Sequence, residues 1–121
     1  MAQTVSSKIE VDGYSIAYSS TGEGEVVLLV HGITTYSFIW RKVVPFLAHK
    51  YRVITIDLPG CGNSSKQLER EYSLKNHAQL LKSFVEAMKV ERFHLVGHDV
   101  GGGISQIFAV NYPVMLFDLT L

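Results

Sequence analysis

The sequence predicts an α/β protein: one domain over residues 1–121, with a mostly parallel sheet flanked by helices. Two observations point to this class. From Val26 onward, short apolar runs alternate with longer amphipathic stretches, as in chains built from successive strand–helix units. The run Val26–Val30 is continuously apolar and has glycine on both sides, which is typical of a strand buried on both faces of a parallel sheet.

The elements before and after that run follow in order. Residues 8–11 and 14–20 flank Asp12-Gly13, a dipeptide favoured in tight turns, so a hairpin of two short strands is expected. Residues 37–48 carry apolar side chains at helical spacing. A helix is predicted there, although Pro45 removes one hydrogen bond inside it.

The second half continues the alternation. Strands are predicted at 52–56, 93–96 and 116–121, and helices at 73–90 and 102–111. The helix over 73–90 is the clearest element, because its apolar residues share one face: Leu74, Ala78, Leu81, Val85 and Met88. This order predicts helices on both faces of the sheet.

Charge and composition exclude several classes of function. Lys plus Arg equals Asp plus Glu at 11 each, and the charges are scattered, so neither a basic stripe for nucleic acid nor an acidic tail is present. Cys61 is the only cysteine, which excludes an internal disulfide and is typical of a reducing compartment. No apolar run approaches the length of a membrane span. We therefore expect a soluble, cytoplasmic protein with no nucleic-acid or membrane partner.

Metal and nucleotide sites have no support in the residue spacing. The chain has no His-x-x-x-His or Cys-x-x-Cys pattern, so we expect no metal and no other cofactor. The glycine-rich stretches 60–62 and 101–103 follow predicted strands. Neither has the G-x-G-x-x-G form at the first strand–helix turn, and no P-loop Lys-Ser/Thr pair appears.

The most informative stretch is Gly97-His98-Asp99-Val100-Gly101, between a predicted strand and a predicted helix. It has the G-x-nucleophile-x-G form of a nucleophile elbow, with Asp in place of Ser. The two glycines fit this interpretation, because an abrupt strand-to-helix turn crowds those positions. Beside the positive end of the following helix, Asp99 is expected to stay ionised and to attack carbon.

Two further segments each follow a predicted strand. His31-Gly32-Ile33 comes directly after the buried run, where a hydrolase needs its second oxyanion donor. The loop 57–64, Asp-Leu-Pro-Gly-Cys-Gly-Asn-Ser, follows the next strand. Three motifs in this chain order are much more specific than any one of them.

Together these motifs resemble the α/β-hydrolase superfamily, over nearly all of the chain. The Gly-His-Asp elbow resembles its aspartate-nucleophile branch, the epoxide hydrolases and haloalkane dehalogenases. The resemblance implies an eight-stranded sheet with a helical cap after the sixth strand. This chain would be the N-terminal part of that fold, with the cap and the C-terminal strands missing.

The resemblance also implies a two-step reaction. Asp99 would be the nucleophile and would form an ester with the substrate carbon, and a histidine-activated water would then hydrolyse that ester. The backbone N–H groups of Val100 and Ile33 would form the oxyanion hole.

Departures from the branch disfavour dehalogenation relative to epoxide or related small-molecule hydrolysis. Dehalogenases of this branch usually have Trp after the nucleophile and often a halide ligand after the His-Gly pair, where this chain has Val100 and Ile33. Trp40, the only tryptophan, matches neither position. Epoxide hydrolases often have Pro two residues after that pair, where this chain has Thr34.

None of the five histidines is a good candidate for the general base. His31 and His98 are expected to hydrogen-bond the loops, His49 and His77 to lie on the surface, and His94 to lie within a strand. The fold's chain order is nucleophile, acid, histidine.

The residues after Asp99 contain no histidine, and their only acid, Asp118, is assigned a solvated or structural role. Cys61 is interpreted as a plain loop residue because no base lies near it in sequence.

Two hypotheses remain open. In the first, the chain is part of a working hydrolase whose acid and histidine come from another segment, carried by a second chain with the C-terminal half. In the second, it is a non-catalytic truncated module that self-associates through its last strand or binds a partner. Alone, the chain is expected to be inactive.

Overall fold

The structure is a computed structural model that describes residues 3–66 and 73–121. The strands are β1 (Thr4–Val11), β2 (Tyr14–Thr21), β3 (Val26–Val30), β4 (Arg52–Ile56), β5 (Phe93–Gly97) and β6 (Leu116–Thr120). The helices are α1 (Val44–Leu47), α2 (Leu74–Ala87) and α3 (Val100–Asn111), with 3₁₀ turns at Ser37–Trp40 and Pro113–Met115.

The six strands form one sheet in the order β1-β2-β4-β3-β5-β6. The β1/β2 and β2/β4 pairs are antiparallel, and the remaining three pairs are parallel. β3 therefore lies inside the sheet with a parallel neighbour on each side, and all five of its residues are buried. The predicted α/β class with a mostly parallel sheet is confirmed.

Helices cover both faces of the sheet, which explains why β3 has no polar position. Leu28 and Val30 face the larger core under α2 and α3, together with Phe84, Phe93 and Phe108. The alternate residues Val27 and Leu29 face the smaller core beside α1, which contains Ala48 and Val53 and is flanked by Trp40. Each side of β3 thus removes apolar surface from water.

The boundaries of α2 follow from its cap residue. Ser73 is the N-cap, and its Oγ accepts a hydrogen bond from the Asn76 N–H at 3.1 Å. The helix ends at Ala87, three residues short of the predicted end, and Lys89 has a positive φ of 58° just beyond it. None of the helices formed by residues 3–66 and 73–121 is long and apolar enough to cross a membrane.

The single helix predicted over 37–48 is wrong. The structure has the 3₁₀ turn Ser37–Trp40 and then the four-residue α1, with Pro45 in its first turn. Proline is tolerated in the first turn, where its missing N–H has no intrahelical partner in any case. The helix therefore begins just before Pro45, and the preceding residues form a separate turn.

Two other predicted boundaries differ from the structure by more than one residue. β1 begins at Thr4, before the predicted start at Lys8, because its ladder with β2 continues to the Thr4–Thr21 pair. The hydroxyls of that pair are also hydrogen-bonded at 2.9 Å. α3 begins at Val100, directly after Asp99, and not at Gly102 as predicted.

Candidate active site

Asp99 lies in a sharp turn between β5 and α3. Its backbone has φ 56° and ψ −120°, a conformation that a non-glycine residue rarely adopts and that carries strain. Its carbonyl oxygen accepts hydrogen bonds from Gly102 N–H at 2.9 Å and Gly103 N–H at 3.3 Å, which start the helix. The turn leaves the Asp99 side chain exposed at the carboxyl end of the sheet.

Two glycines make this turn possible. A Cβ on Gly97 would lie 2.5 Å from the Gly101 carbonyl oxygen and 2.6 Å from Ser105 Oγ. A Cβ on Gly101 would collide with the Val30 carbonyl oxygen and lie 2.5 Å from that of His31. Both positions of the predicted elbow thus exclude any side chain, because backbone atoms occupy the space.

One backbone donor is hydrogen-bonded to the Asp99 carboxylate, and a second influences its pKa. Ile33 N–H donates to Oδ2 at 3.0 Å. The hydrogen bonds from Ile33 N–H and Val100 N–H hold the pKa of Asp99 below its usual value and outweigh a small opposing effect of desolvation. The carboxylate is therefore an anion at neutral pH.

Ile33 reaches Asp99 because the intervening backbone packs very closely. A Cβ on Gly32 would lie 2.6 Å from Asp99 Cβ, so only glycine fits there. Thr35 Oγ1 donates to the Gly32 carbonyl oxygen at 2.8 Å and closes the loop. Thr34 has a positive φ of 56°, so this loop is strained next to the strained elbow.

His31 is fully buried at the start of the same loop. Its Nδ1–H donates to the Gly32 carbonyl oxygen at 2.9 Å, and its Nε2 accepts from Leu58 N–H at 3.0 Å, an arrangement that fits a neutral ring. Burial lowers the pKa of His31, against opposing effects of the Gly32 bond and the Asp57 charge. Both ring nitrogens are in use, as expected for a residue that hydrogen-bonds the loops.

Asp57 starts the third motif and is also buried. Its Oδ1 accepts from Ser37 N–H at 2.8 Å, and its Oδ2 accepts from Asn63 N–H at 3.1 Å. A Cβ on Gly62 would collide with this carboxylate. The loop after β4 is thereby bonded to the end of the loop that carries Ile33. The loop 57–64 was recognised in the sequence, but no role was predicted for Asp57. Gly62, which packs against the Asp57 carboxylate, is the residue that could have indicated one.

The other histidines occupy different environments. His98 is exposed beside Asp99, with its ring edge-on to Trp40 at 6.4 Å between centroids. His49 is exposed. The expectation that His77 is a surface residue is wrong: it lies on the buried face of α2, and its Nδ1 donates to the Ser73 carbonyl oxygen at 2.8 Å.

His94 joins three segments at the opposite end of the sheet. Its Nε2 lies 3.0 Å from Glu25 Oε1, and its Nδ1 lies 2.9 Å from Asp118 Oδ2. Asp118 is thus paired with a histidine within the sheet and not with one near Asp99. No sequence pattern predicts this pairing, because Glu25 precedes β3 and is distant from His94 in the chain.

Two further chemistries lack support among the described residues. Residues 3–66 and 73–121 contain no group of three His, Cys, Asp or Glu side chains arranged to hold a metal ion. Cys61 is half-buried, and desolvation together with the nearby Asp57 charge raises the pKa of its thiol. The thiol is therefore protonated and a weak nucleophile.

The fold and the elbow define a class: α/β proteins that present one side chain on a strained strand-to-helix turn, beside backbone donors from two strands. The chain belongs to the α/β-hydrolase family, since the family profile described as alpha/beta hydrolase fold matches residues 25–114. The family interpretation of the sequence is confirmed at this level.

Individual relatives differ in the activities that their names give. The fluoroacetate dehalogenase of a Burkholderia species is 33% identical over 93% of this chain and 38% of its own length. A 2-hydroxy-6-oxo-6-phenylhexa-2,4-dienoate hydrolase of Comamonas testosteroni is 34% identical over 95% of this chain and 42% of its own length. The solved epoxide hydrolase CorEH superposes with a TM-score of 0.93 at 27% identity, covering 97% of this chain and 41% of that chain.

These three relatives leave the reaction open. The chain spans about two fifths of the length of each. The names include a dehalogenase, an epoxide hydrolase and a hydrolase of an oxo-dienoate, so one fold carries several reactions.

Proposed function

We propose that Asp99 is the nucleophile of a hydrolase that forms a covalent alkyl ester with its substrate, an epoxide or a related small molecule. The observation that carries this proposal is the exposed Asp99 carboxylate on the elbow, hydrogen-bonded to Ile33 N–H at 3.0 Å. Because the chain covers only part of its relatives' length, the activity is assigned to the whole protein of which these residues form the nucleophile-bearing part.

In the first step, a carboxylate oxygen of Asp99 attacks the substrate carbon. The carbon–oxygen bond of the epoxide breaks, and its electron pair goes to the epoxide oxygen, which takes a proton from an acid elsewhere in the protein. Oδ2 already accepts from Ile33 N–H, which leaves Oδ1 as the attacking atom.

In the second step, water attacks the carbonyl carbon of the ester and gives up a proton to the base. The bond between that carbon and the alcohol oxygen then breaks, which releases the protonated diol product and restores the Asp99 carboxylate. Negative charge develops on the oxygen that faces Ile33 N–H and Val100 N–H, so these two donors would serve as the oxyanion hole. The developing charge gains more from such preorganised donors than the uncharged ester oxygen does, which lowers the barrier.

The water needs a base, and we assign it to a histidine outside these residues. Among the described residues, His31 and His94 use both ring nitrogens, and His77 is bonded on a buried helix face. The His98 ring has no such bond to any residue that the structure describes, but it lies directly beside the nucleophile in the chain, edge-on to Trp40. The covalent intermediate is therefore expected to accumulate if that external histidine is removed.

The side chains at the two donor positions favour epoxide opening over halide release. Val100 and Ile33 contribute only backbone N–H groups, and neither side chain has a donor for a leaving halide. Because one relative is named a fluoroacetate dehalogenase, an alkyl halide is the substrate to compare with an epoxide. Turnover of an alkyl halide at a rate equal to that of epoxides would overturn this preference.

The test of the nucleophile is Asp99→Ala in the whole protein. Turnover should fall by at least about 10⁴-fold, because no carboxylate remains to form the ester. Replacing the external histidine should instead leave substrate mass on the peptide that contains Asp99, detected by mass spectrometry. Glu91→Ala, at an exposed acid, is the control and should change neither readout. Full activity in Asp99→Ala would refute the assignment.

A further inference from the structure

Asp57 is a buried carboxylate that the proposed reaction does not use. It is 3% exposed, and no basic side chain is bonded to it among the described residues; both of its oxygens accept backbone N–H groups. Burying a carboxyl group costs free energy unless hydrogen bonds compensate it, as these two bonds do. The positions of the two donors indicate what the side chain holds in place.

The loop that carries Ile33 is fixed at both ends to the loop after β4. At its start, His31 Nε2 accepts from Leu58 N–H at 3.0 Å. At its end, Ser37 N–H donates to Asp57 Oδ1 at 2.8 Å. Between these two tethers, Ile33 is 64% exposed, so its own side chain contributes little to holding the loop in place.

The remaining hydrogen bonds of Asp57 hold Asp57 itself in place. Oδ2 accepts from Asn63 N–H at 3.1 Å, and the Asp57 carbonyl oxygen accepts from Ser64 Oγ. Ser64 Oγ in turn accepts from Ala17 N–H in β2 at 2.8 Å. Asp57 is therefore linked to the sheet by hydrogen bonds. Through Ser37, it also links the loop that carries Ile33 to the sheet.

From this geometry we propose that Asp57 is a positioning residue, which acts through Ser37 to hold Ile33 N–H on the Asp99 carboxylate. The proposal rests on the proposed function only for its catalytic consequence; the coupling between Asp57 and Asp99 is a property of the fold. Because charge-assisted hydrogen bonds to Asp99 keep it ionised, loosening this loop should raise the pKa of Asp99 towards its ordinary value.

The experiment follows the Ile33 amide by NMR in the intact protein labelled with ¹⁵N-isoleucine. Ile33→Val, which keeps the backbone donor, identifies the signal. In the unmodified protein the Ile33 amide proton shift should change with pH as Asp99 titrates, below the ordinary range for aspartate. In Asp57→Asn, which replaces one acceptor oxygen by a donor group, the same titration should move to higher pH.

Ser37→Pro is the second variant; it removes the N–H donor and leaves the Asp57 carboxylate unchanged. Tyr36 before it is extended, with φ −156° and ψ −174°, and Ser37 is the first residue of a 3₁₀ turn, so proline fits the backbone there. Asp57 and its bond to Asn63 stay intact. The Asp99 titration should move in the same direction as in Asp57→Asn.

Ser73→Ala is the matched control, because it removes a comparable side-chain bond, to Asn76 N–H, at the start of α2. It should lower stability without moving the Asp99 titration. If Asp57→Asn fails to fold, the Asp99 titration in Ser37→Pro alone tests the proposal. A folded Ser37→Pro protein with an unchanged Asp99 titration would refute the positioning role. Loss of activity in Asp99→Ala is a separate result, so either proposal can fail while the other stands.

Discussion

At the scale of single residues, the elbow depends on Gly101 more than on any nearby glycine of α3. A Cβ at Gly101 meets backbone carbonyl oxygens of Val30 and His31, which cannot move without bending β3. At Gly103 in the same helix, a Cβ would meet only Leu74 Cδ1 at 3.2 Å, the end of a flexible side chain. The two positions therefore form a matched pair.

We predict that Gly101→Ala destabilises the protein by about 1–3 kcal/mol or more through overpacking. Gly103→Ala should be near neutral or stabilising by up to about 1 kcal/mol, because alanine favours a helix interior. Chemical denaturation measures both. Equal effects of the two substitutions would show that close packing at Gly101 is not the cause.

The geometry of the elbow could be predicted from single residues. Gly97, Asp99 and Gly101 lie where the motif requires them, because the requirement is steric and local. The hydrogen bonds of Asp57 could not be predicted, since its partners Ser37 and Asn63 donate backbone N–H groups, which carry no side-chain signature. Burial of His77 was missed because its face of α2 is covered by other elements, which periodicity alone does not reveal.

At the scale of elements, β6 is joined to β5 and to the start of β3 by the contacts of His94. Burial alone would lower the pKa of His94, but the hydrogen bonds and charges of Glu25 and Asp118 outweigh it and raise that pKa above 6.5. A raised folded-state pKa stabilises the protein fully below the unfolded value of 6.5. That contribution is lost as pH rises through the folded-state pKa.

We therefore predict that the thermal midpoint contains a component that declines as pH rises above about 6.5. His94→Gln should remove this component, since glutamine does not titrate. His49→Gln, at an exposed histidine, is the control and should leave the pH profile unchanged. An identical decline in His94→Gln would assign the effect to other groups.

The strands and helices that were predicted correctly are those whose position depends on nearby residues in the sequence. The buried strand Val26–Val30 was predicted at its observed bounds, because continuous apolar residues and flanking glycines mark it. The region 37–48 was not, because apolar spacing alone cannot separate one helix from a 3₁₀ turn followed by a short helix. The first half of β1 was missed for a different reason: its polar residues are held by backbone pairing to β2.

At the scale of the whole molecule, the described sheet has two edges, β1 and β6. β6 and the residue after it expose apolar side chains, with Phe117 39% and Leu121 65% accessible. An edge strand with exposed apolar residues is a template for pairing with another strand. We propose that this edge binds either a further segment carrying the histidine or a second copy of the chain.

We predict that the 121-residue chain alone has a light-scattering mass above its 13.5 kDa. Leu121→Lys should shift it towards the monomer, because a charge at an edge opposes pairing. Val5→Lys, at an exposed position on the opposite edge strand, is the control and should leave the mass unchanged. A folded 13.5 kDa species of the unmodified chain would exclude self-association through β6.

The position of β3 between β4 and β5 also matters while the protein is being synthesised. Its residues Val26–Val30 are all apolar, uncharged and mostly β-branched, the composition of aggregation-prone segments. One neighbour, β4, follows soon in the chain, but β5 begins only at Phe93. At translation rates of roughly 5–20 residues per second, one edge of β3 waits unpaired on the order of several seconds. The nascent chain is therefore most vulnerable to aggregation between the emergence of β3 and that of β5, which is the interval in which a chaperone would act.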